Sequence, residues 1–205
     1  SAFGPPGPPQ IVPVPGLAAT GALDIALLGT SLSARGPWPH AQAERQTACR
    51  GGPVTMRRTA RAAASSAWAE QAIANALAPQ PDLLLIEFAI NDAALAHGMT
   101  QADSRAHHVR LLDAAAEAGV PVLLMTMNPA WGRNRWLERP GLPAYLALYP
   151  DLAAAHGAGL VDTVPAWHAL APDRRAALVP DGLHPTPDGM AVVLIPALET
   201  ALCPS

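Results

Sequence analysis

Three short segments of this chain carry side chains that can do chemistry together. Gly29-Thr30-Ser31-Leu32 directly follows an apolar run, which leaves Ser31 where a strand should end. A serine hydroxyl is a poor nucleophile at neutral pH and needs a neighbouring imidazole to remove its proton as it attacks. Asp181-Gly182-Leu183-His184-Pro185 supplies one. Two titratable groups three residues apart in a glycine-containing turn can face one another, so the carboxylate binds one ring nitrogen while the other points at a serine. Pro185 and Pro187 stiffen the chain beyond His184 and restrict its freedom. In Ala89-Ile90-Asn91-Asp92, the Asn91 amide can donate to the negative oxygen that develops during attack on an ester carbonyl, worth roughly 3 kcal/mol in comparable sites. Asp92 is read as a brace for its loop. Taken singly, each segment is also ordinary turn chemistry: Thr30 or Ser33 capping a helix, Asp181 binding local amides with His184 in solvent, Asn-Asp closing a turn.

The elements that must position these residues follow from the apolar pattern. LDIALLG from Leu23 is a short apolar run ended by glycine, the signature of a strand buried on both faces. Similar runs recur at Val54–Arg58, Leu83–Phe88 and Val122–Met127, with a weaker one at Gly159–Val164. Between them lie Ala-rich stretches that predict helices over Pro39–Thr47, Ser65–Leu77, Gln101–Ala118, Pro143–His156 and Thr186–Leu202. Gly119 and Gly157 stand where helix C-caps belong. Alternating strands and helices predict an α/β chain: a three-layer α/β/α sandwich, flavodoxin-like, with a five-stranded parallel sheet that binds ligands at its carboxyl edge. Ser31 and Asn91 then follow the first and third strands, and His184 immediately precedes the last helix. All three segments share one rim.

From Leu23 onward this arrangement resembles the SGNH hydrolases, also called GDSL esterases and lipases. The family's Gly-Asp-Ser-Leu corresponds to Gly29-Thr30-Ser31-Leu32, its Gly-x-Asn-Asp to Ala89-Ile90-Asn91-Asp92, and its Asp-x-x-His-Pro is intact from Asp181 to Pro185. Its second block has a glycine beyond the second strand; Ala63, in Ala63-Ala64-Ser65-Ser66, is the best match. The resemblance implies a serine ester hydrolase with Ser31 as nucleophile, His184 as general base and Asp181 orienting the imidazole. It implies an oxyanion hole from the N–H groups of Ser31 and Ala63 and the amide of Asn91, and no cofactor. Alanine at position 63 keeps the N–H, on the condition that its φ is negative. Small acyl esters, acetyl groups on carbohydrate among them, are the implied substrates. An O-acyltransferase using the same triad and a non-catalytic polysaccharide-binding module on an esterase scaffold are the alternatives. A flavodoxin-like nucleotide binder is poorly supported, because no Gly-rich phosphate loop follows the first strand.

Composition narrows the remaining classes. At 205 residues, residues 21–205 suit one catalytic domain, preceded by a Pro/Gly-rich extension over 1–20 that is expected to be a flexible tether. Half the residues are hydrophobic and 14% charged, with no apolar run long enough to cross a bilayer. The net charge of −3 and the lack of a basic stripe argue against nucleic acid. Cys49 and Cys203 follow the ends of the first and last predicted helices, which should pack on the same face, so a disulfide is expected. With a start at Ser1 rather than methionine, that points to a periplasmic or secreted protein. Residues 128–141 should overhang the rim, and Trp131 and Arg133 are its candidate substrate-binding residues, although tryptophans in irregular loops also serve as packing anchors. Arg139-Pro140 is read as closing that loop. His107 and His108 diverge on one helix and are read as surface residues, and no histidine has a partner at metal-ligand spacing, so no metal is expected.

Overall fold

The structure, a computed structural model, describes residues 3–205; Ser1 and Ala2, the start of the proline-rich extension, lie outside the described residues. Six strands form one sheet: β1 (Gln10–Val12), β2 (Leu23–Gly29), β3 (Val54–Ala60), β4 (Leu83–Glu87), β5 (Val122–Met125) and β6 (Gly159–Asp162). Their order is β1-β6-β5-β4-β2-β3. The last five are parallel and, in order of appearance, run 2-1-3-4-5, the flavodoxin-like arrangement. In β2 and β4, Ile25, Leu27, Leu28 and Leu83 through Ile86 are all fully buried, so these strands are apolar on both faces rather than alternating.

The sixth strand corrects the expectation of a free tether. Gln10, Ile11 and Val12 pair antiparallel with Asp162, Val161 and Leu160. Prolines at 8, 9 and 13 confine this stretch to a sheet edge, where only one side of the backbone needs ladder bonds. Val14 is buried behind it, and Gly7 N–H donates to Pro165 C=O at 3.2 Å. Farther along, the buried Arg50 guanidinium donates to the carbonyls of Ala18 and Leu202, both at 2.6 Å, and of Gly21 at 3.1 Å.

Helices Trp38–Arg50, Ser66–Leu77 and Gln101–Glu117 lie close to their predicted places. The other two depart, and proline explains both. The stretch 143–156 divides into Leu142–Leu146 and Leu148–His156 because Pro150 has no N–H for the Leu146 carbonyl. The last helix begins as a turn at Pro187–Gly189, widens over Met190–Leu194 and regularises over Ile195–Leu202. Ile195 N–H reaches back five residues to Met190 C=O, while Pro196 cannot bond Val192.

Cys49 and Cys203 are joined, with Cα atoms 5.7 Å apart, at the amino edge of the sheet where the first and last long helices end. His107 is partly exposed beside Glu70 and Arg110. His108, expected at the surface, is instead fully buried against the Ser104 carbonyl and the Tyr149 hydroxyl. Among the described residues, no helix is long and apolar enough to cross a membrane.

Candidate active site

Ser31 opens a short helical turn, Ser31–Ala34, at the carboxyl end of β2. Thr30 caps it, its hydroxyl accepting Leu32 N–H at 3.2 Å. As the first helical residue, Ser31 has an N–H with no intrahelical acceptor. The turn stands on Glu87, the last residue of β4, which is wholly buried. Glu87 accepts the Thr30 N–H at 2.6 Å, the Thr30 hydroxyl at 3.0 Å and the Ser33 hydroxyl at 2.7 Å. Burial lifts its carboxyl to about 7, only partly offset by these donors. Gly29 permits the arrangement, since a Cβ there would lie 2.2 Å from Glu87 Oε1. Threonine at position 30 suits it too, giving the buried carboxyl two neutral donors where an aspartate would add a second negative charge.

His184 comes to Ser31 from the other end of the chain. Its Nε2 lies 3.1 Å from Ser31 Oγ, and its Nδ1 2.7 Å from Asp181 Oδ2. Asp181 Oδ1 accepts the N–H groups of Leu183 at 2.9 Å and His184 at 2.7 Å. Partial burial alone would raise the Asp181 carboxyl, but these bonds and the ring hold it below its ordinary value. Gly182 turns the chain at φ +77°, and a Cβ there would strike the Trp131 carbonyl at 2.6 Å. The loop after β5 pins this turn: Trp131 N–H donates to Gly182 C=O, Asn134 Nδ2 to Asp181 C=O and Asn128 Nδ2 to Leu183 C=O, each at 2.8 Å.

Asn91 sits in the short helical turn Ala89–Asp92 after β4. Its Nδ2 donates one hydrogen to Ala64 C=O at 2.9 Å, which leaves the other for a ligand. Asp92 braces the loop, as expected, accepting Ser66 N–H at 2.8 Å and the hydroxyls of Ser66 and Ser104. Ala63 has φ +59°, against the negative φ its alanine was expected to need. It occupies the third position of a turn closed by Ala64 N–H to Arg61 C=O, where positive φ favours glycine; alanine tolerates it at a cost of about 1–2 kcal/mol. Among the described residues its N–H has no acceptor. Ser31, Ala63, Asn91 and His184 open on one cleft of about 450 Å³.

Trp131 and Arg133 do not line that cleft. Bonding to Gly182 turns Trp131 to the back of the Asp181 turn, where it meets Trp167 edge-on at 6.2 Å beneath the Arg175 guanidinium. Arg133 is exposed and pairs with Glu138. The same loop reaches the cleft through Leu137, Glu138 and Arg139 instead. Arg139, read from the sequence only as closing its loop, also braces the site: it is buried and donates to Ile90 C=O at 2.8 Å, Asn134 Oδ1 at 3.1 Å and Asn91 Oδ1 at 3.4 Å. Glu87 is the site residue that the sequence reading omitted, and its signal is a carboxylate inside the apolar run LLLIEF. Among the described residues, no group of three or more His, Cys, Asp or Glu side chains is placed to hold a metal ion.

Residues 16–192 match the GDSL-like lipase/acylhydrolase family. None of the curated proteins matches the sequence. Among solved structures, a lipase/acylhydrolase from Enterococcus faecalis is 22% identical, covering 89% of this chain and 98% of its own, with a TM-score of 0.73. An alpha/beta hydrolase enzyme from the metagenome of Lake Arreo is 17% identical over 91% of this chain and 98% of its own, also at 0.73. An acetylxylan esterase from Geobacillus stearothermophilus is 17% identical over 90% and 95% respectively, at 0.72. At these identities the structures share the fold.

Proposed function

The chain belongs to the GDSL-like lipase/acylhydrolase family, the SGNH hydrolases, and is a carboxylic ester hydrolase; from that premise we propose that it cleaves small acyl esters by attack of Ser31. His184 Nε2 takes the hydroxyl proton as Ser31 Oγ bonds to the ester carbonyl carbon, and Asp181 holds the ring and stabilises the imidazolium. The N–H groups of Ser31 and Ala63 and the free hydrogen of Asn91 Nδ2 meet the carbonyl oxygen as it becomes negative. His184 then gives the proton to the departing alcohol, leaving an acyl-serine. Water, deprotonated by His184, attacks that ester, and the acid leaves as Ser31 regains its proton.

One observation carries this reading: the unbroken chain from Ser31 Oγ through His184 to Asp181, at 3.1 and 2.7 Å, opens on the cleft that Ala63 and Asn91 line. The intact chain also speaks against a non-catalytic module. Acetyl esters of carbohydrate remain within the proposed class, supported by the fold shared with the Geobacillus acetylxylan esterase and not by Trp131 or Arg133, which face elsewhere. Transfer to a sugar hydroxyl instead of water would use the same residues, and product analysis with and without added acceptor separates the two. The disulfide supports an oxidising, periplasmic or extracellular, location. Mass spectrometry after treatment with a fluorophosphonate tests the assignment: the label is expected on Ser31, Ser31→Ala abolishes turnover, and a label on any other residue refutes the proposal.

A further inference from the structure

Arg35 follows the helical turn that Ser31 opens, and it lines both openings beside the nucleophile: the cleft of Ala63 and Asn91, and a smaller cavity of about 230 Å³. Its backbone is fixed there. The Arg35 N–H donates to Ser31 C=O at 3.1 Å, and Arg58 clamps the same turn, giving one terminal nitrogen to Ala34 C=O and the other to Gly36 C=O, each at 3.0 Å. The Arg35 side chain is exposed, and among the described residues its guanidinium has no hydrogen-bond or ion-pair partner. The nearby carboxylates are all engaged. Glu138, which lines the larger cleft, is shared between Arg133 at 3.3 Å and Arg139 at 3.4 Å; Asp181 holds His184; Glu87 is buried under Thr30 and Ser33.

Positive charge gathers on this side of the rim. Arg58 adds its charge to the Arg35 turn, and Arg61, whose N–H donates to Gly29 C=O at 3.1 Å, lays its guanidinium over Trp68 at 5.1 Å. Among the described residues none of these three arginines pairs with a carboxylate, although the chain carries a net charge of −3. The field beside Ser31 is therefore opposite in sign to the molecule's net charge, and it favours an ester that brings the missing counter-charge. Of the three, Arg35 alone has its fork of N–H groups unused. That fork matches the two oxygens and single charge of a carboxylate, whereas a phosphate dianion would call for a second free fork, which Arg58 has given to carbonyls. We infer that Arg35 is the specificity residue of this hydrolase, binding a carboxylate carried by the ester that Ser31 attacks. This rests on Ser31 being the nucleophile. Because Arg35 lines both openings, the carboxylate belongs to either the acyl or the alcohol part, and the test has an arm for each. A charge-assisted pair here should raise kcat/KM about tenfold, chiefly through KM.

Two measurements test it. The first compares kcat/KM for esters matched in shape, in which a methyl ketone replaces the carboxylate: monoethyl succinate against ethyl levulinate for the acyl arm, and the acetate ester of 4-hydroxybutanoate against that of its methyl-ketone analogue for the alcohol arm. The wild type should prefer the anionic member about tenfold in at least one arm, and high salt should shrink that preference. Arg35→Gln should bring the ratio close to one and Arg35→Glu should invert it. Arg45→Gln removes the same charge from the helix that ends at the opposite edge of the sheet, and should leave the ratio unaltered. Absence of a preference in both arms, or a preference that survives Arg35→Gln, overturns the inference. The second measurement needs no turnover: Ser31→Ala with ¹⁵N-labelled arginine is titrated with the same four esters. The Nε–H signal that Arg35→Gln deletes should shift saturably with an anionic ester and stay in place with its neutral partner. Turnover without that shift overturns the role of Arg35, whereas the shift in a protein whose wild type hydrolyses neither pair overturns the proposed reaction and leaves the carboxylate site standing.

Discussion

The Arg139 guanidinium holds the side-chain oxygen of Asn91 at 3.4 Å and the carbonyl of Ile90 at 2.8 Å, so a loop that follows β5 fixes the amide in the turn after β4. With its oxygen occupied by Arg139, the Asn91 amide presents nitrogen, not oxygen, to the cleft. Removing Asn91 itself should cost about 10²–10³ in kcat. Arg139 acts through it, so Arg139→Met should lower kcat about tenfold and leave KM nearly unchanged. A lysine cannot span the same oxygens and should not rescue. Asn91→Ala with Arg139→Met should fall no further than Asn91→Ala alone, which steady-state kinetics on the four proteins would check.

Ala63 carries a left-handed backbone without glycine's freedom. Ala63→Gly removes a steric cost of about 1–2 kcal/mol and gives back part of it as unfolded-chain entropy, for a net gain near 1 kcal/mol. The N–H is retained, so kcat should stay within about twofold. Denaturant unfolding and an ester assay on the same preparation read both.

Glu87 makes stability depend on pH with a known sign. Its carboxyl, normally near 4.5, is raised to about 7 in the fold. Between those values the folded protein keeps a proton that the unfolded chain has released, so stability falls as pH rises through this window, by an amount on the order of 3 kcal/mol. Below about pH 4.5 both states are protonated and the contribution is complete. Glu87→Gln keeps a neutral side chain under Thr30 and Ser33 at every pH. Unfolding curves from pH 4 to 8 should therefore show the wild type losing stability relative to the variant as pH rises, and parallel curves would count against the assignment.

The disulfide lies at the sheet edge opposite Ser31. Replacing Cys49 and Cys203 by serine should cost about 2–4 kcal/mol of stability. Activity at 25 °C should survive, since the catalytic rim is held by Glu87, Asp92 and the loop after β5. Calorimetry and an activity assay on the double variant test both halves of that statement.

Much of this was legible in the sequence because its signals are local. Parallel strands announce themselves as short apolar runs, and Asp181 and His184 meet because they are three residues apart in one turn. Ser31 and Asn91 are placed by the strands that precede them. The roles of Arg139 and Glu87 were hidden for the opposite reason: their partners Asn91 and Thr30 lie 48 and 57 residues away, and although LLLIEF marks Glu87 as a buried carboxylate, nothing beside either residue identifies its partner. Trp131 pointed the wrong way because the direction of a side chain in an irregular loop is set by whatever its backbone bonds to, here Gly182. The edge strand was masked by prolines, and the breaks at Pro150 and Pro196 yielded to an Ala- and Leu-rich background that reads as continuous helix.

The placement of the sulfur bridge also decides what a protease can do. Ser31 precedes Cys49, whereas Asp181 and His184 fall between Cys49 and Cys203. A cut at Trp136-Leu137, both about two-thirds exposed, would divide the polypeptide into a piece carrying the hydroxyl and a piece carrying the imidazole. The bridge would keep them one covalent molecule, which would migrate intact on a gel until a thiol was added.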